Sequence, residues 1–107
     1  MTHKHTQGPW VYTTGEDWDG AHIMDKHGRI VADCQGCDIP GACGEVGTDE
    51  ARANARLISA APDLLDALED AEFLLRKAGN IPGPMQDSFK RSANDARAAI
   101  AKARGEA

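Results

Sequence analysis

The sequence predicts an α+β fold: a small three-stranded antiparallel sheet packed on a long kinked helix, with a C-terminal antiparallel helical hairpin. Three observations lead there. Strand-like runs of aromatic and β-branched residues are confined to residues 8–33. Residues 34–48 (CQGCDIPGACGEVGT) hold four glycines and a proline, too many breakers for regular structure. From residue 49 onward the apolar residues recur at helical spacings of three and four.

Taken in order, residues 1–8 (MTHKHTQG) are polar, with His3 and His5 flanking Lys4, and are expected to form a loose arm. Residues 9–14 (PWVYTT) read as a first strand with Trp10 and Tyr12 on one side. An acidic turn carrying Trp18 follows at 15–20. Residues 21–25 and 29–33 are two further strands, joined by Lys26-His27-Gly28, where glycine supplies the positive φ of a tight connection. Such a meander has one face to bury and cannot stand alone. The loop at 34–48 is long for a connection, and long loops are where function tends to sit.

Thr48 or Asp49 is placed to cap the central helix at 49–78, with Asp49 and Glu50 in its first turn. Its expected apolar stripe is Leu57, Ala61, Leu64, Leu68, Ala71 and Leu75, widened by Ile58 and Leu65. Pro62 lacks an amide donor and crowds the carbonyl of Ile58. Either the helix kinks there, or one segment ends near residue 60 and a second starts with Pro62 in its first turn. The phase of the stripe favours nearly collinear parts. Gly79, after Arg76 and Lys77, suits a C-terminal cap, and residues 79–85 (GNIPGPM) turn the chain. A last helix at 86–104 carries Phe89, Ala93, Ala96, Ile100 and Ala103 on one seam, whose alanines allow close helix packing.

At 107 residues the chain is expected to be a single domain. Its net charge of −5 is uneven: residues 1–50 hold three Lys/Arg against nine Asp/Glu, and residues 51–107 hold nine against eight. That argues against duplex nucleic acid as a partner, which calls for a basic surface. It leaves open a small anionic ligand gripped by a few arginines. No apolar run approaches a membrane span and no signal-like segment opens the chain, so a cytoplasmic protein without a membrane partner is expected. The central helix carries more large apolar side chains than so small a sheet and last helix can cover, which points to a homo-oligomer.

Three signals bear on chemistry. Cys34, Cys37 and Cys43 form a C-x2-C-x5-C run, with His22 or His27 as an added zinc ligand, but the second half-site is missing and reduced thiols are the simpler expectation. No spacing aligns a thiolate with a base and an orienting carboxylate. We therefore expect no catalytic residue, no metal and no cofactor, a protein that is not an enzyme; a zinc- or thiol-dependent enzyme is the rival that stands or falls with the cysteine loop. Cations give the third signal. Lys90, Arg97 and Arg104 repeat every seven residues, and Arg52 and Arg56 stand one turn apart around Asn54 at the start of the central helix. Glu72 is placed to meet the first edge, while no acidic partner for Arg97 or Arg104 is evident. Arg52, Asn54, Arg56, Arg97 and Arg104 are thus the candidate ligand-binding residues, since guanidinium forks suit phosphate and a helix N-terminus favours anions. The competing reading makes them exposed or structural cations.

GPW at 8–10, HGRIVAD at 27–33 and above all ANARLISAAPDLLDALE at 53–69 resemble a group of small phage and prophage proteins that open with a GPW-type strand and carry an ANARLIAAAPDLLEAL-like helix. The resemblance spans residues 8–75 and leaves the cysteine loop unmatched. It implies a phage accessory protein, and such proteins often inhibit host defence. The layout is also similar to that of phage sponges that sequester nucleotide signals. The expected partner is therefore a small nucleotide-like ligand or a host defence protein, with a structural or regulatory phage role as the alternative.

Overall fold

The computed structural model describes residues 5–14, 20–36 and 46–106. The expected turn around Trp18, His3, and most of the Gly-rich loop with Cys37 and Cys43 lie outside the described residues. The elements are β1 (Val11–Thr13), β2 (Gly20–Met24), β3 (Ile30–Gln35), α1 (Thr48–Ser59), α2 (Ala61–Ala78) and α3 (Gln86–Arg104). The fold is α+β as expected, an antiparallel sheet in the order β1-β2-β3 with three helices. Its contacts group into two compact units, Met1–Pro62 and Asp63–Ala107.

In the first unit α1 lies on the sheet. Tyr12, Ile23 and Ala32 are register partners, and so are Ala21 and Cys34, which puts one alternating set of side chains on the α1 face. Ala21, Ile23 and Ala55 are fully buried there, with Trp10, Val31, Ala32, Cys34 and Ile58 packed around them. On β2, Ile23 and Met24 are adjacent, yet they pair with Ala32 and Ile30. Val31 is therefore an extra residue, a bulge that lets it join the core while Ile30 stays on the opposite face. Gly28 has φ +77, as its tight connection requires.

The N-terminal arm is more ordered than expected from residue 5 onward. The Trp10 indole donates to the Thr6 carbonyl, and His5 meets the Trp10 ring edge-on. A Cβ on Gly8 would stand 2.8 Å from the Pro62 Cβ, so the GPW segment rests directly on the proline of the APDLL segment. An aromatic that needs both a core contact and a hydrogen-bond acceptor holds its neighbours in place.

The central helical stretch is divided: α1 ends at Ser59, Ala60 turns, and α2 starts at Ala61 with Pro62 in its first turn. The expected stripe is only half inside: Ile58, Leu65, Leu68 and Leu75 are half-buried, while Leu57, Ala61, Leu64 and Ala71 are exposed. The buried positions of α1 are Thr48, Ala51 and Ala55, followed by half-buried Ile58, whereas Leu57 is 65% exposed. Small residues win the sheet-facing side because they let the helix axis come close to the sheet. Since the helix breaks at Ala60, α2 need not continue the same face.

In the second unit α2 and α3 form the expected hairpin. Ala93, Ala96 and Ile100 of α3 are buried and Phe89 is half-buried, while Ala103 at the end of the expected seam is exposed. Gly79 is buried at the turn, where an added Cβ would come within 3.0 Å of Lys90, and the Gln86 side-chain amide donates to its carbonyl. α3 ends in a Schellman arrangement: Gly105 has φ 74, its N–H bonds the Lys102 carbonyl, and the Glu106 N–H bonds that of Ala101.

Candidate functional site

The cations singled out in the sequence fall into two groups. Gly47, not Thr48 or Asp49, occupies the cap position of α1, because its extended backbone directs its carbonyl to the Ala51 N–H. Arg52 is half-buried, and its Nε is enclosed with no hydrogen-bond partner among the described residues. Arg56 is exposed one turn further along the same flank. Asn54 is exposed as well, but at about 100° per residue it lies about 200° round the helix from Arg56 and cannot share a ligand with the pair.

Arg97 and Arg104, for which the sequence offered no evident partner, both have one. Arg97 bonds the buried Glu72 at 3.3 Å, and Glu72 also meets Arg76 at 3.6 Å. Arg104 is paired with Glu69. The sequence pattern misses these pairs because the Glu–Arg separations only become short once the hairpin closes. Both arginines thereby have a role in joining α2 to α3.

A different feature emerges on the sheet face away from α1. Val11, Met24 and Ile30 are register partners and form a row across all three strands, with Val11 53% and Ile30 58% exposed. Beside it, Thr13, His22 and Asp33 form a second row. There the His22 imidazole Nδ1 is hydrogen-bonded to an Asp33 carboxylate oxygen. Among the described residues nothing in the first unit covers Val11 or Ile30, so the sheet presents an apolar band edged by a polar one. The strand alternation was readable from the sequence; the bulge that keeps Ile30 on this face was not.

The same pleat bears on the zinc alternative. Cys34 faces the α1 side of the sheet and His22 the other, so this cysteine and this histidine do not converge. Among the described residues there is no group of three or more His, Cys, Asp or Glu placed to hold a metal ion.

Asp25 holds the turn between β2 and β3 in shape. Its carboxylate accepts from the backbone N–H groups of His27 and Arg29 and from the Arg29 guanidinium at 2.8 Å. Burial alone would raise its pKa, but the bonds from Arg29 and His27 outweigh burial and hold it below the ordinary carboxylate value.

A small open-faced sheet with a helical cover, joined to a helical hairpin, is the frame in which the comparisons with known proteins fall. The family model of Salmonella phage P22 protein Y8K6 matches residues 1–107, and the chain belongs to that family. It is thus a phage-type protein, as the resemblance in its helical segment implied. No curated protein and no solved structure matched it. No helix among the described residues is long and apolar enough to cross a membrane.

Proposed function

We propose that this phage-family protein works by binding rather than catalysis, docking on a host protein through the open face of its sheet and acting in the infected cell as a counter-defence inhibitor. The observation that carries this reading is the row Val11–Met24–Ile30, built in register across three strands, with Val11 and Ile30 exposed on either side of a half-buried Met24. Apolar side chains placed in a row and left uncovered are the usual core of a protein contact. The acidic excess of residues 1–50 suits a partner whose contact surface is apolar with a basic rim. Affinity purification from the host tests it. Wild-type protein should retain a specific host protein, Arg52→Ala should retain it too, and Ile30→Asp and Val11→Asp should lose it. Retention by Ile30→Asp would refute the sheet face.

The second reading, capture of a nucleotide-like anion at the start of α1, is favoured by the enclosed Arg52 Nε that lacks a partner among the described residues. On that reading Arg52 and Arg56 grip the anion. Titration with a panel of cyclic and linear nucleotides should then show binding that Arg52→Ala removes and Ile30→Asp keeps.

A further inference from the structure

α3 covers only part of α2. Within the unit Asp63–Ala107, Glu72 and Gly79 are buried and Leu65, Leu68 and Leu75 half-buried, which marks the side of α2 turned toward α3. The Arg97–Glu72 and Arg104–Glu69 pairs line one side of the hairpin with charge. The opposite side is apolar. At about 100° per residue, Leu64, Ala71 and Leu74 fall on it, and all are exposed, Leu64 at 52% and Leu74 at 64%. On the same side α3 presents Ser92, Ala99 and Ala103, also exposed and small enough for another helix to approach closely.

We infer that this face is the contact between two copies of the chain, packed face to face with their α2 helices antiparallel about a two-fold axis at Ala71. The occupant is argued from α2 itself. Leu64 and Ala78 are equidistant from Ala71, so a two-fold axis there sets the large side chain of one copy against the small one of the other. The charges agree with the same register. Asp63, Asp66 and Asp70 occupy the first part of α2 and Lys77 the last turn, on the outer flank of the strip. A parallel pairing would set aspartate level with aspartate. The antiparallel pairing instead brings Asp63 and Asp66 of each copy level with Lys77 of the other, and complementary potentials fix the register. A helix whose own two halves complement each other in size and charge is built for its own copy, since an isologous contact requires self-complementarity.

The test is the molar mass of the full-length protein by sedimentation or light scattering at micromolar concentration. Wild type should be a dimer. Ala71→Glu puts two like charges on the axis and should give monomers with an unchanged far-ultraviolet spectrum, because Ala71 is exposed within one copy. Asp66→Lys should raise the dissociation constant by roughly tenfold or more, and adding Lys77→Asp should restore it. A monomeric wild type, a dimeric Ala71→Glu or a failure of the charge swap to restore association would each overturn the inference. Ile30→Asp should leave the dimer intact, so the outcome is separable from that of the sheet-face reading.

Discussion

At the scale of single residues, the polar groups divide into those whose partners tie them into the structure and those left as candidates for binding. Asp25 belongs to the first kind. Its folded-state pKa is depressed, so the stability it contributes is fully present above the ordinary carboxylate pKa and is lost as the pH falls through the lowered one. Asp25→Asn should therefore be less stable than wild type at neutral pH, and the difference should shrink in acid. Denaturant titrations across that range check the sign; a gap that widened in acid would contradict it. Arg52 belongs to the second kind, since its Nε is enclosed and unbonded among the described residues. Arg97 and Arg104 have moved from the second kind to the first. Residue identity made all four arginines candidates, and only the pairing of Glu69 and Glu72 across the hairpin separates them. Those carboxylates lie far from the arginines in sequence, beyond the reach of local spacing rules.

At the scale of elements, the strands, the hairpin and the ends of α3 were legible because each is written locally. Gly28 marks its turn, residues 79–85 mark theirs, and α3 spans the residues its periodicity demands. The face of α1 was not legible in the same way. Leucines carry the stronger apolar signal, but Ala51 and Ala55 are the buried residues of α1, and Ala55 packs with Ala21 and Ile23. Close packing was decided by size, which periodicity does not weigh. The GPW segment is a similar case. Its glycine is dictated by contact with Pro62, more than fifty residues later in the chain. Gly8→Ala should force the two segments apart and cost about 1–3 kcal/mol, the usual range for overpacking. A melting curve reads this directly, and an unchanged midpoint would mean that the contact is not tight in solution.

At the scale of the whole molecule, the chain leaves many of its large apolar side chains outside its own core. Ile23 is the one large side chain that is fully buried among the described residues, while Leu57, Leu64, Phe73, Leu74 and Ile30 remain exposed. Exposed apolar side chains of this size are the reason the sheet face and the hairpin face are proposed as contact surfaces. The sheet face belongs to the unit Met1–Pro62 and the hairpin face to Asp63–Ala107, so the two proposed contacts can be tested separately. The family establishes a phage-type protein, and phage growth is therefore the most direct readout of the central claim. The decisive measurement is plaque formation on defence-bearing hosts by phage that lack the gene, supplied with wild type or Ile30→Asp at matched protein levels. Wild type should restore plaques, and Ile30→Asp should fail to do so while its melting midpoint stays near that of wild type, because Ile30 is already exposed. Full restoration by Ile30→Asp would contradict the account.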